Sequence, residues 1–131
     1  MYQQRTDNIV VSVTPVFLDD QSAPAESRYV WAYTISIENL GNETVQLIDR
    51  YWKITDERGQ VQEVAGPGVV GEQPVIAPGD SYTYTSGCPL TTPSGFMQGH
   101  YGMKNGEGER FKAVIPAFSL DIPQKGRRRL N

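Results

Sequence analysis

The stretch YVWAYTISIE, residues 29–38, decides the fold class. Large apolar side chains occupy every second position, at Trp31, Tyr33, Ile35 and Ile37, and smaller or polar residues separate them. Successive side chains of a β-strand point to opposite faces of a sheet. A period of two therefore predicts a strand with one buried face and one exposed face.

The same period continues on both sides of this stretch. It predicts strands at Ile9–Phe17, Val45–Thr55, Val61–Ala65, Val75–Ile76, Tyr82–Ser86, Phe96–Lys104 and Arg110–Ile115. Turns rich in glycine, asparagine and proline separate these strands, and no window of a dozen residues has the three-four spacing of an amphipathic helix. Many short strands joined by tight turns are typical of an all-β sandwich or barrel, and we expect a two-sheet sandwich.

Length and charge favour one ordinary globular domain. The 131 residues are 38% hydrophobic and 21% charged, with a net charge of −3. We predict a single domain over residues 1–131, of which 124–131 form a disordered basic tail containing Lys125 and Arg127–Arg129. Four cations at a chain end are far fewer than a nucleic-acid groove needs, so a nucleic-acid partner is not expected.

The predicted compartment is the cytoplasm. Cys88 is the single cysteine, which excludes an internal disulfide and suits a reducing environment. No stretch has the length and hydrophobicity of a membrane span, so we expect no membrane association. The polar N-terminal residues lack the apolar core of a signal peptide.

The chain from about Tyr33 to Leu120 resembles the ApaG domain family. The matching segments, in order, are Val45–Leu47, Arg50–Ile54, Gly66–Gly71, Pro74, Pro78–Gly79, Tyr84–Gly87, Gly95–Met103 and Ile115–Leu120. The resemblance implies an immunoglobulin-like or fibronectin type III-like β-sandwich, which agrees with the seven to eight antiparallel strands predicted here.

The family's known contexts imply a binding role. Bacterial members are encoded near a diadenosine tetraphosphate hydrolase and are named for an association with cobalt resistance and magnesium efflux. Eukaryotic members are attached to F-box proteins and to a polymerase-interacting protein, where the domain resembles a protein-binding part. The resemblance implies no catalytic residue.

The segment Gly66–Gly71 matches the G-x-G-x-x-G pattern of dinucleotide-binding folds, with glycines at 66, 68 and 71. That pattern binds pyrophosphate only when a helix begins at its last glycine. Pro74 and Pro78 follow within a few residues and disfavour a helix. We therefore expect a turn between strands, and anion binding by Gly66, Gly68 and Gly71 is the alternative interpretation.

The sequence lacks the residues that a metal site or a nucleophilic catalytic site requires. One histidine, His100, and one cysteine cannot build a zinc-type site within one chain, and no metal or other cofactor is expected. Neither Cys88 nor His100 has a recognisable orienting group beside it, so no catalytic residue is expected. Arg50 alternates with Trp52, which favours a structural role covering the indole or pairing with an acid.

The run from Ser81 to Met103 contains no Asp, Glu, Lys or Arg. Surfaces poor in charge and rich in aromatic residues are typical of protein contacts. If each strand crosses the sandwich once, the turns at Gly41–Thr44, Gly66–Gly71 and Cys88–Gly95 share one end. We expect that end to display Val69, Val70, Leu90 and Pro93 to a partner.

The expected function is therefore that of a non-catalytic module that binds an unidentified protein through apolar, glycine-rich loops. Any effect on cobalt or magnesium handling would be indirect, because no segment can form a membrane pump. The alternative is a phosphate or nucleotide site, related to diadenosine polyphosphates, at Gly66–Gly71. A homodimer is left open.

Overall fold

The structure is a computed structural model that describes residues 1–123. In it, the alternating stretch lies within a strand that covers Tyr29–Asn39. Its apolar side chains face inward, and Ile35 and Ile37 are completely buried. The predicted basic tail, 124–131, lies outside the described residues. The strand prediction for this stretch is confirmed.

Strands make up most of residues 1–123. They are β1 (Tyr2–Thr6), β2 (Ile9–Phe17), β3 (Tyr29–Asn39), β4 (Val45–Asp56), β5 (Val61–Pro67), β6 (Val75–Ile76), β7 (Ser81–Leu90), β8 (Ser94–Lys104) and β9 (Arg110–Asp121). The helical turns of this part of the chain are two 3-10 helices of three residues each, Asp19–Gln21 and Pro24–Glu26. None of its helices is long and apolar enough to cross a bilayer.

The strands form two antiparallel sheets, and the predicted β-sandwich is confirmed. The first sheet has the order β1-β2-β3-β7, and the second has the order β5-β4-β8-β9, with β6 also pairing with β4. Strand β1 was not predicted, because its residues are polar and mostly exposed and carry no apolar alternation. It pairs with β2 from Tyr2↔Val13 to Thr6↔Ile9.

The core fills the space between the sheets. Trp31 lies in the first sheet and Trp52 in the second, and the rings of Tyr33 and Trp52 meet edge-on with centroids 5.4 Å apart. On one side the sheets meet closely: the backbone N–H of Val114 in β9 donates to Thr6 Oγ1 of β1 at 3.1 Å. The opposite side of the sandwich, between the edge strands β7 and β5, is the open side.

Candidate functional site

Strands β5 and β6 form one interrupted edge along β4. The pairing runs from Val61 opposite Thr55 to Pro67 opposite Asp49, and resumes with Val75 opposite Gln46. The residues between leave the edge and turn back. We call Gly66–Gly71, which includes the end of β5 and the start of this excursion, the glycine loop.

The excursion closes as a two-residue turn. Val69 and Glu72 exchange both backbone hydrogen bonds, at 2.8 and 2.9 Å, around Val70 and Gly71. Val70 has φ +43° and Gly71 has φ +82°, the two positive values that a type I′ turn requires. As predicted, the glycine loop leads to a turn and another strand, not to a helix.

A cleft of about 460 Å³ lies on the open side of the sandwich, between β7 and β5. Two sheet edges and the glycine loop surround it. It is lined by Tyr33, Arg50, Trp52, Pro67, Val69, Val70, Gly71, Tyr84 and Ser86. The cleft thus combines aromatic walls, three hydroxyl groups and one guanidinium group.

Arg50 fixes the glycine loop to β4. Its Nη1 donates to the carbonyl oxygens of Pro67 at 3.0 Å and Gly68 at 2.8 Å. A Cβ built on Gly66, its neighbour across the strands, would lie 3.3 Å from Nη2. The absence of a side chain at Gly66 therefore lets the guanidinium group lie against the backbone of β5.

The tyrosine hydroxyl groups in and behind the cleft are neutral. Burial raises the pKa of Tyr33, Tyr84 and Tyr101 above the usual value, although the nearby charge of Arg50 opposes each rise. The hydroxyl oxygens of Tyr84 and Tyr101 lie 2.6 Å apart. Because the phenols stay protonated at neutral pH, Arg50 receives no counter-charge from them.

The outer edge of β7 borders the same cleft. The N–H of Asn39 donates to Asp80 O at 3.0 Å and Asn39 O accepts from Gly79 at 2.8 Å, so Asn39 directs its backbone toward the β7 side. Along an antiparallel pair, the N–H and C=O groups of successive residues point alternately toward the partner strand and away from it. Counting from Asn39 along the register, the N–H and C=O groups of Thr83, Thr85 and Gly87 point away from β3. Within residues 1–123 no other strand pairs with β7.

This edge lacks the usual protection. Exposed edge strands are normally guarded by charged side chains, proline or a covering element, because unpaired backbone groups attract another strand. Strand β7 carries no charged residue, and its one proline, Pro89, lies next to the end of the strand. Seven residues, Ser81–Gly87, are therefore open to pairing with another chain.

The structure does not bring the predicted contact residues together. Leu90 lies opposite Tyr29 at one end of the sandwich, whereas Gly66 lies opposite Arg50, midway along β4. The prediction that these loops share an end with Gly41–Thr44 is wrong. The reason is that β6 continues the edge of β5 and does not cross the sandwich. Every later turn therefore lies at the end opposite to the one predicted.

Two of the predicted contact side chains belong to the core. Val69 is 1% exposed and Leu90 is 8% exposed, so neither is displayed. Pro93 is half-buried in the turn between β7 and β8. Val70 is 56% exposed at the mouth of the cleft, and of the four it is the side chain most accessible to a ligand.

Cys88 and His100 are in different places. Cys88 is buried in the first sheet, where burial raises the pKa of its thiol to about 11. His100 stacks on Tyr51 on the outer face of the second sheet, with ring centroids 5.2 Å apart. Burial and the charge of Lys112 lower the pKa of His100. No three histidine, cysteine or acidic side chains gather as metal ligands within residues 1–123.

Comparison with known proteins assigns the fold to a family. Residues 19–105 match the family model described as ApaG domain. The chain belongs to the ApaG domain family. The chain is 62% identical over 123 residues to a "Protein ApaG" from Mesorhizobium japonicum, covering 94% of this chain and 95% of that protein. It is 60% identical over 131 residues to a "Protein ApaG" from Brucella anthropi, covering 100% of each.

A solved structure agrees with the family assignment. A Bordetella pertussis crystal structure described under the name ApaA superposes with a TM-score of 0.87 at 48% identity, covering 88% of this chain and 94% of that chain. The ApaG domain resemblance inferred from the sequence is thus confirmed, and with it the sandwich fold.

Sequence reasoning missed the two features that define the cleft side. Arg50 was expected to pair with an acid or cover Trp52, but it binds two backbone carbonyls and lines the cleft. The open edge at Thr83 and Thr85 was not predicted. The charge-free composition of β7 was the available signal, but it could not distinguish a central strand from an edge strand.

Proposed function

We propose that this ApaG domain is a non-catalytic protein-interaction module that adds an extended segment of a partner protein to the outer edge of β7. The observation that carries the proposal is the seven-residue edge Ser81–Gly87, which has outward-facing backbone groups and no charge. Strand addition gives affinity through backbone hydrogen bonds and specificity through alternate side chains. The cleft beside the edge supplies pockets for those side chains.

Val70 supports an interaction at this side. A β-branched residue at positive φ is strained, and a type I′ turn favours asparagine or glycine there. The exposed valine therefore lowers stability where a polar residue would fit better. Backbone strain of this kind is concentrated at functional sites, and an apolar contact with a partner would explain it.

The alternative function, phosphate or nucleotide binding at Gly66, Gly68 and Gly71, has weaker support. The amides of Gly68 and Val69 already donate to Ile48 O and Glu72 O, at 2.8 Å each. The carbonyl oxygens of Pro67 and Gly68 accept hydrogen bonds from Arg50, so the loop groups beside the guanidinium group are acceptors, which do not bind an anion. An anion would have to bind mainly through Arg50.

Further parts of the expected function stay predictions. They are a specific kinship with fibronectin type III or immunoglobulin domains, a place in the cytoplasm and an indirect effect on cobalt or magnesium handling.

The test is selection of peptides from a random nonapeptide display library on the immobilised protein. Thr83→Pro removes an N–H that points away from β3, and proline is tolerated at such edge positions. Thr83→Val keeps that N–H and is the matched control. We expect enriched peptides to bind the unaltered protein and Thr83→Val but not Thr83→Pro. Failure to enrich any peptide, or equal binding to both variants, would contradict strand addition at β7.

A further inference from the structure

Some of the N–H donors of Arg50 make no hydrogen bond to the rest of the described chain. A guanidinium group has five N–H donors, and the two on Nη1 bind Pro67 O and Gly68 O. Within residues 1–123 Nη2 and Nε make no hydrogen bond, and the ion pair of this part of the chain joins Arg110 to Asp49 elsewhere. No side-chain nitrogen or oxygen that is completely buried lacks a partner there, so the remaining donors of Arg50, which lines the cleft, are accessible to a ligand.

The guanidinium group is also held in place. Its Nη1 bonds and the flat surface of Gly66 restrict it before any ligand arrives. A planar, pre-oriented guanidinium group favours two-pronged binding of a carboxylate. The aromatic walls of the cleft strengthen the interaction, since charges attract more strongly where water is partly excluded.

An added strand would lie on the side of the sandwich where Arg50 lines the cleft. A chain paired to the outer edge of β7 extends the first sheet by one strand, and its side chains alternate between outer and inner faces. The inward side chains of β7 next to that edge, Tyr84 and Ser86, line the cleft. Inward side chains of the added strand would continue this row toward Arg50.

Resting on the proposed function, we propose that the partner segment carries an aspartate or glutamate whose carboxylate binds Arg50 in the cleft. A second copy of this chain is the less suitable occupant. Its own edge, Ser81–Leu90, contains no acidic residue and would leave Arg50 without a counter-charge.

The test is to sequence the whole pool of nonapeptides that the selection enriches. We expect one inward position to be dominated by Asp or Glu, with β-branched residues at alternate positions. Replacing that acid by Gln or Asn in a synthetic peptide should weaken binding to the unaltered protein about tenfold or more, the usual worth of a charge-assisted pair. This comparison does not depend on the folding of any variant.

Two variants assign the effect to Arg50. Arg50→Met should remove the difference between the acidic and amide peptides, whereas Lys53→Met, an equal loss of charge on the same strand, should preserve it. Equal binding of the two peptides by the unaltered protein would overturn the carboxylate proposal and leave strand addition standing. Selection that yields no peptide would contradict the proposed function itself.

Light scattering and inorganic phosphate provide two further outcomes. A dimer that Thr83→Pro converts to monomer would mean that β7 pairs with the β7 of a second copy, which would overturn the proposal.

Competition by millimolar inorganic phosphate against the acidic peptide but not the amide peptide would support a carboxylate at Arg50. Phosphate binding with no preference for acidic peptides would point to a small-anion site and overturn it.

Discussion

The hydroxyl group of Tyr84 in β7 meets the hydroxyl group of Tyr101 in β8 at 2.6 Å, between the two sheets. Both rings are buried, so each phenol is the other's hydrogen-bond partner in the core. This contact joins the strand with the open edge to the centre of the second sheet.

Tyr84→Phe should lower the free energy of unfolding by about 1–3 kcal/mol, since it leaves the Tyr101 hydroxyl buried without a partner. The double change with Tyr101→Phe should cost less than the sum of the single changes, because no orphaned hydroxyl remains. Chemical denaturation of the four proteins measures the coupling. Tyr82→Phe, on the same strand, is the control, and additive costs would mean that the hydroxyls are not coupled.

Two glycines of the turn should differ sharply on replacement by alanine. Gly68 has φ +62° and an added Cβ would lie 2.2 Å from Glu72 O, whereas Gly71 has φ +82° and open space around it. Gly71→Ala should therefore cost about 1 kcal/mol of backbone strain. Gly68→Ala should cost about 1–3 kcal/mol more, because the backbone must move. Thermal unfolding of both variants tests this; similar midpoints would contradict the close approach.

Val70→Asn should stabilise the fold by about 1 kcal/mol, since asparagine tolerates positive φ better than a β-branched residue. The same change should weaken peptide binding if Val70 contacts the partner. Val75→Asn, at a similarly exposed valine in the strand β6, should be neutral or slightly destabilising. Urea unfolding midpoints decide the result, and a loss of stability in Val70→Asn would show that the valine is favoured structurally.

Alkaline pH should destabilise the protein through Cys88. Burial raises the pKa of this thiol from 9.0 to about 11 in the folded state, so the unfolded state loses its proton first as pH rises. The stabilising contribution is complete below pH 9 and declines between pH 9 and about 11, by up to about 1.4 kcal/mol per pH unit. Cys88→Ala should flatten the fall in stability just above pH 9, before the tyrosines titrate. An unchanged profile would contradict the prediction.

The strand pattern was predictable because burial on one face imposes a period of two. The alternation at Trp31–Ile37 gave the central strand directly, and the matching interruptions by turn residues gave most of the others. Strand β1 could not be found in this way, since its exposed residues pair with β2 through backbone groups that every sequence shares.

The position of the glycine loop was not predictable. Its composition indicated a turn, and the structure has one. Counting strands then placed it at an end of the sandwich, because a two-residue strand such as β6 looks the same in sequence whether it crosses a sheet or continues an edge. Register along β4 decides between the two, and register depends on distant partners.

By itself, the sequence determined the β class, the sandwich, the family and the turn at Gly66–Gly71, since these depend on local periodicity, turn chemistry and ordered motifs. Only the tertiary structure decided which strand is an edge, that Val69 and Leu90 are core and Val70 is not, and that Arg50 lines a cleft. The physical reason is that burial and edge position come from pairing between strands far apart in the chain. A residue's neighbours in sequence do not specify which strand, if any, will lie beside it.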